Sequence, residues 1–238
     1  MPIAKGRDLY RRAALSAGAV VMAVAGLNAS AHAGGVALGA TRLVYNASER
    51  QASLPVINSD TQHVFLLQSW IEDIDGKRSG DFAVTPPLFV IKPGSENTLR
   101  LIHVGAPLPA DRETAYWISV KAIPARDQNR PADQSTLQLS FTSRIKLFYR
   151  PEGLQPSADD AQSMLALARG QGAIVAHNPT PYYITMVNVR LDGRDTASVM
   201  VPPKGSAPLP GSTTSHAVAF QTINDYGAVT RVQQKTLP

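Results

Sequence analysis

From residue 38 onward, apolar and polar positions alternate in short runs broken by Gly, Pro, Asn and Asp, which is the period of β-strands. The pattern predicts strands over residues 38–45, 52–57, 64–71, 88–91, 99–104 and 116–123. A second series covers 173–177, 183–190, 198–201 and 217–223. Turn clusters punctuate both series: Asn58-Ser59-Asp60, Lys92-Pro93-Gly94, Asn178-Pro179-Thr180-Pro181 and Asn224-Asp225-Tyr226-Gly227. Trp70, near the end of its strand, reads as a core residue. Only residues 157–169 have a helix-like composition, with Asp159 and Asp160 early and Arg169 late. They read as one short helix or as a loop feeding a strand. Many short strands at this spacing predict an all-β fold of sandwich type.

One segment stands apart. Over residues 135–149, Leu137, Leu139, Phe141, Ile145 and Leu147 occupy odd positions, and Gln138, Ser140, Thr142, Arg144 and Lys146 occupy even ones. An uninterrupted strand would gather the first set on one face. Such a strand would be longer than most, and a bulge within it would move Lys146 to the other face. The pattern alone leaves open whether the apolar face serves its own domain's core or another chain. Arg150-Pro151-Glu152-Gly153 then ends the strand and marks a domain boundary, giving domains at 34–154 and 155–238 after a leader at 1–33.

That leader changes the charge reading. Lys5, Arg7, Arg11 and Arg12 precede an uncharged apolar run over 13–27, and Ala31-His32-Ala33 offers small residues at the two positions a signal peptidase reads. The run is short for a membrane anchor. Ala13-Ala14-Leu15 after Arg11-Arg12 fits general secretion better than the twin-arginine route. Cleavage after Ala33 would remove Lys5, Arg7, Arg11, Arg12 and Asp8 and lower the formal net charge from +5 to +2. No Lys/Arg block remains in the mature part, so the electrostatic footprint of a nucleic-acid binder is missing, and no stable membrane insertion is expected. The chain has no cysteine, so an exported fold must rest on core burial alone, which two domains of this size permit.

Catalytic patterns are sparse. His63, His103, His177 and His216 stand alone without metal-ligand spacing, and no phosphate loop or nucleophile elbow occurs. No cofactor or metal is implied. Ser143-Arg144-Ile145-Lys146 fits a Ser-x-x-Lys pattern, but a regular strand points residues three apart to opposite faces. A hydrolase built on Ser143 and Lys146 is the least favoured reading, and no enzymatic function is expected.

The stretch Ser143 to Pro151, S-R-I-K-L-F-Y-R-P, resembles the signature of the periplasmic pilus-assembly chaperones of the chaperone/usher pathway, the PapD-like proteins. Thr41-Arg42-Leu43-Val44-Tyr45, Trp70-Ile71-Glu72, Thr85-Pro86-Pro87 and Asp111-Arg112-Glu113 follow the same family in the first half. Asn178-Pro179-Thr180-Pro181-Tyr182-Tyr183 and Ile223-Asn224-Asp225-Tyr226-Gly227 do so in the second. The resemblance implies two immunoglobulin-like sandwiches in an L or boomerang arrangement. It further implies a chaperone that lends a strand to pilus subunits lacking one and passes them to an outer-membrane usher. Leu137, Leu139 and Phe141 would be the donated side chains. Arg42 and Lys146 would grip the subunit's terminal carboxylate, and Glu113, Arg150 and Asp225 would bridge the domains. Leu66, Gln68, Thr85, Pro86, Pro87 and Ile123 fall where relatives meet the usher. The short connector over 126–135 resembles the short-loop subfamily, and the sequence leaves open whether a free chaperone caps its own strand as a homodimer. The competing class is an immunoglobulin-like pilus or adhesin subunit, but residues 34–37 begin too close to the first strand to form a subunit's donor segment.

Overall fold

A computed structural model describes residues 35–125, 138–170, 172–211 and 214–237. The leader, the connector and Leu137 lie outside the described residues. The chain folds as two all-β sandwiches with one short helix. In the first, β1 (Val36–Leu38), β3 (Ala52–Asn58), β7 (Glu96–His103) and β5 (Phe82–Thr85) form one sheet in that order. The facing sheet runs β2 (Arg42–Asn46), β9 (Phe141–Arg150), β8 (Thr114–Pro124), β4 (Phe65–Asp73) and β6 (Leu88–Ile91). Alternate residues of both sheets fill the space between them, with Leu54, Leu67, Leu99, Leu101, Ile118 and Leu147 wholly shielded from solvent. Burying each such side chain contributes about 1.5–3 kcal/mol.

The second sandwich pairs the sheet β10 (Ala166–Arg169), β11 (Ile174–Asn178), β15 (Gly205–Leu209) with the sheet β13 (Arg194–Asp195), β12 (Ile184–Leu191), β16 (Ala217–Thr222), β17 (Gln233–Thr236). β14 (Val199–Val201) also pairs with β12. Its core holds Ile174, Ile184, Met186, Val201 and Phe220, and Leu154 packs onto it from the linker.

Four local expectations require correction or completion. The run over 38–45 is two strands in different sheets, not one. The chain crosses over at Gly39, whose amide donates to the Pro55 carbonyl at 2.8 Å and where a β-carbon would press on the Pro55 ring. Trp70 is not a core residue: strict alternation buries Leu67, Ser69 and Ile71 and turns Trp70 outward, where the Arg78 guanidinium lies 4.1 Å from its ring centre. Residues 157–169 contain α1 (Ala158–Ala161), capped by the Ser157 hydroxyl, and then β10, so both readings of that segment contribute. Finally, β15 and β17 were not legible. Pro208 and Gly205 break the strand pattern of β15, which tolerates them as a sheet edge, and β17 is almost wholly polar.

Candidate functional site

The site is built around β9. On one side β8 pairs with it without interruption from Ala122↔Phe141 to Thr114↔Tyr149, so the strand carries no bulge there. Lys146 therefore keeps the even face that simple alternation gives it. On the other side β2 runs parallel to β9 but only from Arg42↔Lys146 to Asn46↔Arg150. Among the described residues the edge of β9 over residues 141–145 consequently has no neighbouring strand. The strand begins at Phe141 rather than at 135: β8 continues to Pro124, but its ladder with β9 stops at Ala122↔Phe141, and residues 138–140 have no ladder partner among the described residues. Gln138 makes a side-chain bond to the Pro124 carbonyl instead.

Odd positions of β9 face the sandwich interior: Leu147 is fully buried and Ile145 packs on the core. Phe141 shares that face but lies past the core and is 66% exposed; Leu139, just before the strand, is 54% exposed. Large apolar side chains beside an unpaired strand edge form a template for another chain and an aggregation hazard if left open.

Where the open edge stops, two cations meet. Parallel pairing places Arg42 and Lys146 side by side although 104 positions separate them in sequence. The Lys146 ammonium lies 5.7 Å from the Trp117 ring centre, and the Arg42 guanidinium 5.8 Å from that of Phe148. One Arg42 nitrogen donates to the Ile223 carbonyl at 3.1 Å, while its buried Nε has no acceptor. Among the described residues neither cation forms a salt bridge. Burial, reinforced by the Arg42 charge, lowers the Lys146 pKa to about 8. Burial likewise lowers Arg42 against the pull of Asp225 and Glu113. Two partly desolvated like charges without a salt-bridge partner favour any anion that reaches both, and a carboxylate offers two oxygens for charge-assisted bonds.

Glu113, Arg150 and Asp225 also come together, across the two sandwiches. Glu113 is 3% exposed; one carboxylate oxygen accepts from Arg150 Nε at 2.8 Å and the other from the Tyr183 amide at 2.8 Å. The two remaining Arg150 nitrogens reach the Asp225 carboxylate at 2.6 and 2.8 Å. Burial pushes the Glu113 carboxyl up, beyond what the Arg150 charge restores. Burial also opposes the Arg150 charge, yet the bonds and charges of Asp225 and Glu113 hold its pKa above the usual value. A second, exposed tie escaped the sequence reading: Lys204 Nζ reaches Asp111 at 2.7 Å, next to Arg112. Lys204 sits alone between turns, and nothing in its sequence context signals a partner 93 positions away.

On the outer face of β4, Leu66 stands opposite Ile123 and Val90, and Gln68 opposite Lys121 and Leu88. Leu66, Leu88 and Val90 are exposed, so this face carries an apolar patch of which the sequence reading had only Leu66 and Ile123. Thr85 ends β5, and the carbonyls of Pro86 and Pro87 are tied to Ser69 on β4. Ser143 and Lys146 lie on opposite faces of β9, which separates the two members of the Ser-x-x-Lys pattern. Among the described residues no cluster of acids and histidines could hold a metal.

Residues 35–155 match the family described as "Pili and flagellar-assembly chaperone, PapD N-terminal domain", and residues 160–234 match "Pili assembly chaperone PapD, C-terminal domain". The chain belongs to this family of PapD-like pilus-assembly chaperones. It is 44% identical over 213 residues to the probable fimbrial chaperone SfmC of Escherichia coli K12, covering 89% of this chain and 93% of that protein. It is 42% identical to the chaperone protein FimC of the same strain, covering 89% and 88%. Among solved structures, the periplasmic chaperone SfaE is 40% identical with a TM-score of 0.74, covering 85% of this chain and 99% of SfaE. The SafB chaperone in complex with the Salmonella enterica SafA pilin is similar at 30% identity and a TM-score of 0.76, covering 85% and 96%. These matches to chaperones across both domains do not favour the pilus-subunit reading.

Proposed function

We propose that this chain is a periplasmic chaperone that captures pilus subunits by adding a strand to them and holds the subunit's terminal carboxylate at Arg42 and Lys146. One observation carries the reading. Among the described residues the open edge of β9 ends where β2 takes over, and Arg42 and Lys146, neither in a salt bridge, stand at that end. A strand pairing along 141–145 must stop there, so a chain terminus, with its carboxylate, is what the position accommodates. Its direction would be parallel to β9. Leu139 and Phe141, with Leu137 before them, would fill the gap in the subunit's core, which stabilises the complex by about 1.5–3 kcal/mol per side chain.

The carboxylate also fixes register, because a one-residue slip would turn the donated side chains to the wrong face. Glu113, Arg150 and Asp225 would hold the two sandwiches at the angle the bound subunit needs. Leu66, Gln68, Thr85, Pro86, Pro87 and Ile123, joined by Leu88 and Val90, would face the usher. Without a subunit, two copies would cover each other's open edges. The leader over 1–33, cleaved after Ala33, would deliver the chain to the periplasm, where it would act without catalysis or cofactor.

The test is co-purification from periplasm with the pilin encoded beside it. Wild type is expected to hold the pilin in a soluble one-to-one complex. Lys146→Glu, folded but repelling the carboxylate, is expected to leave the pilin degraded. A folded Lys146→Glu that retains the pilin as well as wild type would refute carboxylate anchoring.

A further inference from the structure

Tyr226 is 92% exposed and, among the described residues, its ring and hydroxyl have no partner. Everything around it is fixed. Its turn is closed by the Gly227 amide on the Asn224 carbonyl at 3.0 Å and by the Ala228 amide on the Asn224 side chain at 2.9 Å. Asp225 is clamped by Arg150, and the Ile223 carbonyl receives Arg42. Gly227, at φ +81°, lies so close to Thr41 that a β-carbon there would collide with the threonine hydroxyl. The turn is therefore welded to the start of β2, one residue before the cation that ends the open edge of β9. A tyrosine carried on a fixed backbone has only two side-chain torsions to immobilise on binding and is a frequent energetic centre of interfaces.

We infer that Tyr226 is a contact and specificity residue for the carboxyl-terminal end of the bound subunit, its ring covering the last side chain while Arg42 and Lys146 hold the carboxylate. The inference rests on the proposed anchoring and adds the second sandwich to it. The placement follows from continuity: the cations fix where the chain ends, and the Tyr226 turn touches Thr41 and Arg42 at that end. The chemistry that fits is an apolar or aromatic terminal side chain, which would gain the ring face as cover.

The probe is a fluorescein-labelled peptide of the last fifteen residues of the neighbouring pilin, as free acid and as terminal amide, followed by anisotropy. Tyr226→Ala is expected to weaken the free acid about 10-fold or more, and Tyr226→Phe by less than about threefold, since the ring face is retained. Tyr226→Ala should keep the wild-type preference for acid over amide, because the cations remain, and an unchanged thermal midpoint checks the fold. Tyr226→Ala binding within about twofold of wild type, while Lys146→Met abolishes binding, would overturn this inference and leave the anchor standing. If Lys146→Met binds normally and the amide binds as well as the acid, both the anchor and the inference fall.

Discussion

Lys146 and Arg42 are partly desolvated cations, each with its pKa lowered by burial. Burial lowers Lys146 to about 8, so above that pH the free protein sheds a proton that a bound carboxylate would restore. Binding should then take up a proton, and affinity for a subunit's carboxyl-terminal peptide should fall as pH rises from about 8 towards 10, by up to about tenfold per unit. Lys146→Arg should flatten that fall; calorimetry in buffers of different ionisation heat reads the proton uptake directly. The sign for stability is opposite. Between about 8 and the usual 10.5 the unfolded chain binds more protons at this position than the folded one, so stability gains from rising pH there.

Neither cation was assigned from spacing: residues 104 positions apart carry no mutual signal, and family resemblance alone named them. The parallel register supplies the physical reason. At Trp70 size alone suggests core, whereas its even position in β4 turns it outward.

At the scale of elements, β9 was the most legible feature, since period-two alternation encodes a face directly. Its start was not legible. A strand needs a ladder partner, and the ladder with β8 stops at Ala122↔Phe141, so residues 138–140 lie outside the strand, with Leu139 and Phe141 exposed. Because both side chains are more than half exposed, Leu139→Ser with Phe141→Ser should change stability by less than about 0.5 kcal/mol per site. The same double variant should lower the yield of subunit complex at least tenfold, given about 1.5 kcal/mol or more lost per donated side chain. Denaturant melts and co-purification check the two halves separately; a double variant that loses stability and retains subunits would mean these residues serve their own domain. Elements without the period, such as β15 with its Gly205 and Pro208, were invisible for the same reason that β9 was plain.

At the scale of the molecule, two sandwiches are joined by a charge cluster with Glu113 almost wholly buried. Its members are 37 and 75 positions apart, and only resemblance grouped them. Arg150→Ala would strand the Glu113 carboxylate in a site that water does not reach, at a cost of about 3–5 kcal/mol. The expected result is a large fall in urea midpoint, with much of it recovered by Glu113→Gln in the same chain. Equal stability of Arg150→Ala and wild type would show that the cluster does not hold the domains together.

The most direct test of strand donation is residue-resolved amide exchange of the chaperone alone and with its pilin bound. The amides over 138–140, outside any strand in the free chain, and those of 141–145 that point from the open edge of β9 should exchange rapidly alone and be slowed by orders of magnitude in the complex. A stable complex in which those amides exchange as fast as in the free protein would contradict the account.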